Sequence, residues 1–456
     1  MRPLVPTLLG WLSLCAACSL AQADPVDDIV LAEMKRTNTP GISLAVVRDG
    51  KIIREQGYGL ANVEHQVPVT PATVFQSGSV GKQFTAALVL LLAADGKLRL
   101  DDPISHHLPK SPKAWEHITV RQLLTHTSGM GDATEKLDLR RDYTDAEMVA
   151  IAAKLPLLSA PGQRWAYSNT GYALLGYICN KAGGKFYGDQ LRERIFIPLG
   201  MGTRVINERD IVPHRAAGYE PVNGQLRNQE WVSPTLNSTA DGSLYLTAHD
   251  LALWDLALYG DKVLTESMKQ ASWTPVRPKD GSTPDYGFGW QLRPVNGHRR
   301  ISHDGLWQGF RSQFSRFIDH RLSVIVLSNS SAAPPEKIAN LVAAHYLPDL
   351  VAKALADTEP QITARAREIV AQFGRATQPP RLSIRTKAKY TPKVLANIAL
   401  DMRDFGKLLA LDPIARTVKG RLHSYVYRMR FENETNFLEL DINRAGAIER
   451  IEFLAD

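Results

Sequence analysis

The sequence predicts an α+β protein: one antiparallel sheet flanked by helices, an all-helical insertion, and a small C-terminal α+β module. Three observations carry this prediction. Asp49-Gly50 joins two extended runs, Gly41 to Val47 and Lys51 to Tyr58, as an early hairpin. Helix punctuation fills the middle third, and strand patterns return only from Gly287. Strands at both ends of a helical stretch can close into one sheet, with the stretch packed beside it.

Taken in order, residues 1–23 read as a secretory signal. Arg2 supplies the positive start, Leu8 to Leu20 is apolar but too short to span a bilayer, and Ala21-Gln22-Ala23 is a small-x-small cleavage site. A lipoprotein signal using Cys18 is the alternative; Ala16-Ala17 favours it and Cys15 opposes it. After the hairpin, Val80, Phe84, Ala87, Leu88, Leu91 and Leu92 form the stripe of a buried helix, stopped by Asp95-Gly96. Thr119 with Gln122 and Thr144 with Glu147 are capping boxes, and Thr247 precedes Asp250 and the run Leu251 to Leu258. The later strands are Gly287 to Arg293, Arg300 to His303, Gly309 to Ile318 and Leu322 to Asn329, and a helix over Pro335 to Tyr346 closes the unit. Beyond residue 350, Ala352 to Phe373 reads as helix and residues 351–378 as a helical linker ending at Pro379-Pro380. Residues 379–456 read as a small α+β domain with meandering strands at Ser424 to Phe431, Asn436 to Ile442 and Ile448 to Phe453.

At 456 residues there is room for two or three domains, and 44% hydrophobic with 22% charged residues fits a globular chain. The net charge of +7 comes without a Lys/Arg run or a basic stripe interleaved with aromatics, which argues against nucleic acid as a partner. Of three cysteines, two lie in the signal segment. Cys179 follows the apolar run Tyr172 to Ile178 and reads as a core residue, leaving no internal disulfide. No other apolar stretch is long enough to span a membrane. The chain has no His-Glu-x-x-His and no cysteine–histidine cluster, so neither metal nor cofactor is expected. Absence of Gly-x-Ser-x-Gly argues against an α/β-hydrolase.

The chemistry concentrates in Ser79-Val80-Gly81-Lys82. At the start of a helix, residues i and i+3 share a face, so the Lys82 amine can reach the Ser79 oxygen. A helix start also favours negative charge on that oxygen, and a crowded lysine can lose its proton and act as a base. Alone, Ser-x-x-Lys arises by chance about once in such a chain. Here Tyr167-Ser168-Asn169 and His303-Asp304-Gly305 follow in order. Together the three motifs resemble those of the penicillin-recognising serine hydrolases, in the branch of class C β-lactamases, D-alanyl-D-alanine carboxypeptidases, D-aminopeptidases and related esterases. The phrases Leu123-Leu124-Thr125-His126-Thr127-Ser128-Gly129, Pro198-Leu199-Gly200-Met201 and Tyr286-Gly287-Phe288-Gly289-Trp290 strengthen the resemblance, which spans about residues 27–347. The C-terminal module resembles the cystatin/NTF2-like appendages of some relatives; a lipocalin-like module is the alternative.

The resemblance implies a β-lactamase/DD-peptidase-like fold with its active site between the sheet and the helical subdomain. It implies Ser79 as nucleophile, Lys82 and Tyr167 as proton carriers, and backbone N–H groups of Ser79 and Leu306 as oxyanion hole. Asn169 would present its amide to substrate and tether Lys82. His303 would hydrogen-bond the Tyr167 oxygen, and Gly305 would let substrate backbone lie flush on its strand. Trp307 and Phe310 either line the pocket or plug the core, while His126 and His249 read as structural. Asp304 stands where the family places a hydroxyl, so it should repel a substrate carboxylate if it faces the groove. The expected activity is therefore acyl-enzyme hydrolysis of D-amino-acid amides, peptides or esters. A β-lactamase, a DD-carboxypeptidase and a non-catalytic peptidoglycan or antibiotic receptor are the alternatives.

Overall fold

The computed structural model describes residues 24–108, 111–205 and 210–455. The signal segment, with Cys15 and Cys18, lies outside the described residues. The elements that position the site begin with helix α1 (Pro25–Thr37) and strands β1 (Gly41–Arg48) and β2 (Lys51–Asn62). Asp49 and Gly50 both adopt positive φ, 51° and 79°, which suits a two-residue hairpin. A short strand β3 (Val67–Pro68) precedes helix α2 (Lys82–Ala94). Helices α3 (Val120–Leu124), α4 (Asp145–Ala153), α5 (Asn169–Gly183) and α6 (Ala248–Ala257) follow. Both expected capping boxes form, at Thr119/Gln122 and Thr144/Glu147, and Thr247/Asp250 makes a third.

Strands β4 (Arg300–Trp307), β5 (Phe310–Phe317) and β6 (Leu322–Ser328) return to the hairpin, and helix α7 (Pro335–Tyr346) closes the unit. The antiparallel sheet runs β3-β2-β1-β6-β5-β4, which leaves β4 at an edge. Strand β1 is buried on both faces, as its run Ile42-Ser43-Leu44-Ala45-Val46-Val47 requires. Ala45 and Val47 face the core that holds α2, while Ile42, Leu44 and Val46 face Val26, Val30, Ile338 and Val342 from α1 and α7. The sheet is thus the middle layer of three.

Helices α8 (Pro360–Gly374) and α9 (Pro392–Phe405) then cover one face of a second antiparallel sheet, β7 (Leu408–Lys419), β8 (Leu422–Phe431), β9 (Thr435–Asn443) and β10 (Ile448–Ala455), in sequential order. Its core shares no buried residue with those of the first unit.

Three expectations need correction. Gly287 to Arg293 is not a strand: Gly289 sits at φ 74° and only Gln291 bridges to Ser302, so the segment turns and meets the sheet at a single residue of its edge strand. The helix expected from Ala352 starts at Pro360, where proline suits the first turn and leaves no helical hydrogen bond missing. That helix buries Ala366, Ile369, Val370 and Phe373 in the C-terminal core, so by packing it sides with the second unit and not with a linker. Helix α9 and strand β7 add to the helix and three strands expected for this unit.

Candidate active site

Ser79 lies in a 3-10 turn, Gly78–Gly81, that leads directly into α2. Gly78 holds φ 51°, and a Cβ there would stand 2.6 Å from the Leu306 backbone nitrogen. The turn can therefore press against edge strand β4 only with glycine at this position. Gly305 answers from the other side: an added Cβ would meet Ser77 O and Ser312 Oγ, each at 2.2 Å, and Ser79 N at 3.1 Å. The structure thus gives Gly305 a reason the sequence reading did not, a close approach of two protein backbones. It also brings the Ser79 and Leu306 backbones to one place at an edge strand, where alternate N–H groups have no partner strand.

Lys82, the first residue of α2, is fully buried. Its Nζ donates to Ser79 Oγ at 2.9 Å, Asn169 Oδ1 at 2.8 Å and the Asp241 carbonyl at 2.5 Å. Three acceptors match the three N–H bonds of an ammonium. The same Nζ sits 5.0 Å from the centre of the Tyr167 ring. Tyr167 and Asn169 arrive at the start of α5, capped by Ser168 Oγ accepting from Gly171 N. Asp132 fixes this corner by accepting from Asn169 N at 2.9 Å and Thr170 Oγ1 at 3.0 Å. Burial pushes the Asp132 carboxyl up, but hydrogen bonds from Asn169 and Thr134 outweigh that and hold it below its usual range.

His303 departs from expectation. Its imidazole is buried beneath the groove, with Nδ1 2.6 Å from the Asp304 carbonyl and Nε2 2.9 Å from Tyr286 Oη. A carbonyl only accepts, so Nδ1 carries the proton and Nε2 accepts from the tyrosine. Burial lowers its pKa to about 4, with Asp304 opposing and Lys82 assisting. The Tyr167 ring lies 6.3 Å away centre to centre, and among the described residues His303 makes no hydrogen bond to its hydroxyl. Tyr286 has taken that place.

His126, expected to be structural, packs directly on Tyr167. The ring centres are 4.2 Å apart at 34°, and Tyr286 stands 4.8 Å away on another side. The His126 Nδ1 accepts from Ser168 N at 3.1 Å, while its buried Nε2 has no partner among the described residues. Burial pushes this imidazole well below its ordinary pKa, assisted by Lys82 and His303. The phrase around His126 was legible in the sequence, but its neighbour 41 positions on was not. His249, by contrast, pairs with Glu55 on the surface.

A cavity of about 720 Å³ opens beside Ser79. Leu137, Leu139, Met148, Val232, Leu236 and Trp307 line one side, and Tyr167 and Asn169 another. Trp307 Nε1 donates to Asn237 Oδ1 at 3.2 Å. Phe310 belongs to the core, edge-on to Phe75. Asp304 faces the opposite side of β4 from His303 and lines the cavity, half exposed, accepting from Gln291 Nε2 at 2.8 Å. Among the described lining residues, the charged side chains are two carboxylates, Asp241 and Asp304. No group of three or more His, Cys, Asp or Glu among the described residues could hold a metal ion.

A family model described as Beta-lactamase matches residues 26–347. The chain belongs to the beta-lactamase family. Penicillin-binding protein 4* of Bacillus subtilis is 34% identical over 321 residues, spanning 65% of this chain and 70% of that protein. A D-aminopeptidase of Gluconobacter oxydans is 28% identical over 325 residues, spanning 67% of this chain and 58% of that protein. Among solved structures, a D-amino acid amidase from Ochrobactrum anthropi matches with a TM-score of 0.61 at 26% identity, over 70% of this chain and 99% of that one. An octameric penicillin-binding protein homologue from Pyrococcus abyssi matches at 0.64 over 95% of this chain and 98% of that one; at 22% identity this shows the fold alone. As a member of the family, the protein is a serine hydrolase. Among the described residues, no helix is long and apolar enough to cross a membrane.

Proposed function

We propose that this beta-lactamase-family protein is exported by its N-terminal segment and hydrolyses amide or ester bonds of substrates bearing a free amine and an apolar side chain, D-amino-acid amides or peptides foremost. Ser79 attacks the carbonyl while Tyr167 accepts its proton, with Lys82 Nζ holding the Ser79 and Asn169 side chains in place. The Ser79 and Leu306 N–H groups receive the oxyanion, Asn169 orients the acyl side, Tyr167 returns a proton to the leaving group, and water releases the acyl-enzyme.

The observation that carries the substrate class is the cavity lining: apolar on one side, with carboxylates as its charged groups. A substrate carboxylate about 4 Å from Asp304 meets repulsion of about 1 kcal/mol in water and several times that in a partly desolvated groove. An ammonium gains by the same amount. The relatives named D-aminopeptidase and D-amino acid amidase favour the same reading. The test compares D-phenylalanine amide with an acid-bearing substrate and its methyl ester, in wild type and Asp304→Thr. Wild type should prefer the amine and the ester, and Asp304→Thr should narrow the acid penalty by about tenfold. Efficient cephalosporin hydrolysis by wild type would sink this reading. Absence of turnover on any ester would favour a receptor.

A further inference from the structure

Away from the serine, a cavity of about 460 Å³ opens where the C-terminal sheet meets the hydrolase unit. Strand alternation explains its floor. Tyr425, Tyr427, Met429, Leu438 and Leu440 point into the C-terminal core, so Val426, Arg428 and Phe437 point the other way, into the cavity. Phe317, Leu341, Ala344 and Leu350 complete an apolar wall from the hydrolase side. The volume falls in the range of about 300–1,000 Å³ usual for small-molecule sites.

The polar groups are unevenly satisfied. The Arg300 side chain is 5% exposed; its Nη1 donates to Glu336 Oε1 at 2.9 Å and Asn340 Oδ1 at 3.3 Å. Among the described residues its buried Nε has no acceptor. Arg428 repeats the pattern: its Nη atoms donate to the Ala352 carbonyl and Asp412, and among the described residues its buried Nε likewise has no partner. Among the described lining residues Glu336 is the lone carboxylate, against Arg293, Arg300 and Arg428. A buried guanidinium N–H without an acceptor is costly, and a carboxylate is the group its planar fork fits best.

We propose that this interdomain cavity binds an amphipathic monocarboxylate, its apolar body against Phe317, Leu341 and Phe437 and its carboxylate at the unpaired edge of Arg300, with Arg428 adding to the positive field. An acyl-chain carboxylate and the C-terminal carboxylate of an apolar peptide share this chemistry. Octanoate and N-acetyl-phenylalanine represent them, with octan-1-ol as the uncharged control.

Calorimetric titration of the full mature chain tests the site without relying on turnover. One or both carboxylates should bind once per chain, and octan-1-ol about tenfold or more weaker. Whichever carboxylate binds supports the site and identifies its source. Arg300→Met should weaken binding about tenfold or more. Leu341→Trp fills the cavity while keeping both arginines, and it should abolish binding with ester hydrolysis retained as the check on folding. Equal binding of octanoate and octan-1-ol, undiminished binding in Arg300→Met or Leu341→Trp, or no heat from either carboxylate at about 5 mM would each overturn the proposal.

Discussion

At the scale of single residues, the site depends on what each buried group can donate. Lys82 spends its three N–H bonds on Ser79, Asn169 and the Asp241 carbonyl, so it both positions the Ser79 hydroxyl and ties together three separate segments. Ser79→Ala should reduce turnover by several powers of ten, because members of such a group act as a unit. Intact-mass spectrometry after fluorophosphonate treatment should show a single adduct on wild type and none on this variant. His303 yields a pH prediction whose sign follows from linkage. Its folded pKa is about 4 against an ordinary 6.5, so the unfolded chain binds the extra proton between those values. Stability from this residue is therefore complete above about pH 6.5 and is lost as the pH falls toward 4, up to about 3 kcal/mol. His126, lowered for the same reason, adds a loss of the same sign. Denaturant midpoints measured between pH 4 and 7 should fall more steeply for wild type than for His303→Gln; parallel curves would exclude this role.

At the scale of elements, the groove exists because a turn and an edge strand approach closely. Gly78 and Gly305 are the two positions where a side chain would separate them. Gly305→Ala must displace Ser77 O or Ser312 Oγ and with it the Ser79 backbone. Overpacking of this kind costs about 1–3 kcal/mol, and a misplaced oxyanion donor about a hundredfold in kcat. The variant should thus melt only a few degrees lower yet lose most turnover, read by circular dichroism alongside ester hydrolysis. The elements legible in the sequence were those with local signals. Capping boxes at Thr119 and Thr144, the Asp49-Gly50 turn and the helix Pro335–Tyr346 emerge where expected, while the second hairpin strand runs on from Tyr58 to Asn62. The segment Gly287 to Arg293 misled because its aromatics suggest strand, whereas Gly289 at φ 74° packs against the Lys82 carbonyl.

At the scale of the whole molecule, two units with separate cores are held by a small set of contacts. Lys337 bridges Glu33 and Glu434, Arg428 donates to the Ala352 carbonyl, and Leu355 N donates to the Pro413 carbonyl. These side chains are largely buried, Lys337 being 14% and Glu434 21% exposed, but Lys337 keeps Glu33 as its partner when Glu434 is removed. A chain ended at residue 350 should therefore fold and keep ester hydrolysis within about a few-fold of the full protein, while losing the interdomain cavity. An insoluble or inert product would show instead that the C-terminal unit supports the groove.

The sequence by itself determined the covalent spacing of the chemistry: a serine and a lysine three residues apart at a helix start, then Tyr167 with Asn169, then a strand carrying His303. Those relations are local, and helix geometry fixes them wherever the segment packs. Tertiary structure decided everything that depends on which segments meet. Alternation along β4 buries His303 and turns Asp304 to the cavity, a choice set by the register of β4 on β5. Once His303 points inward, Tyr286 is the hydroxyl within reach of its Nε2, and Tyr167 is left against His126. No spacing rule connects residues 126, 167, 286 and 303, because their proximity follows from the packing of loops and strands on one shared core.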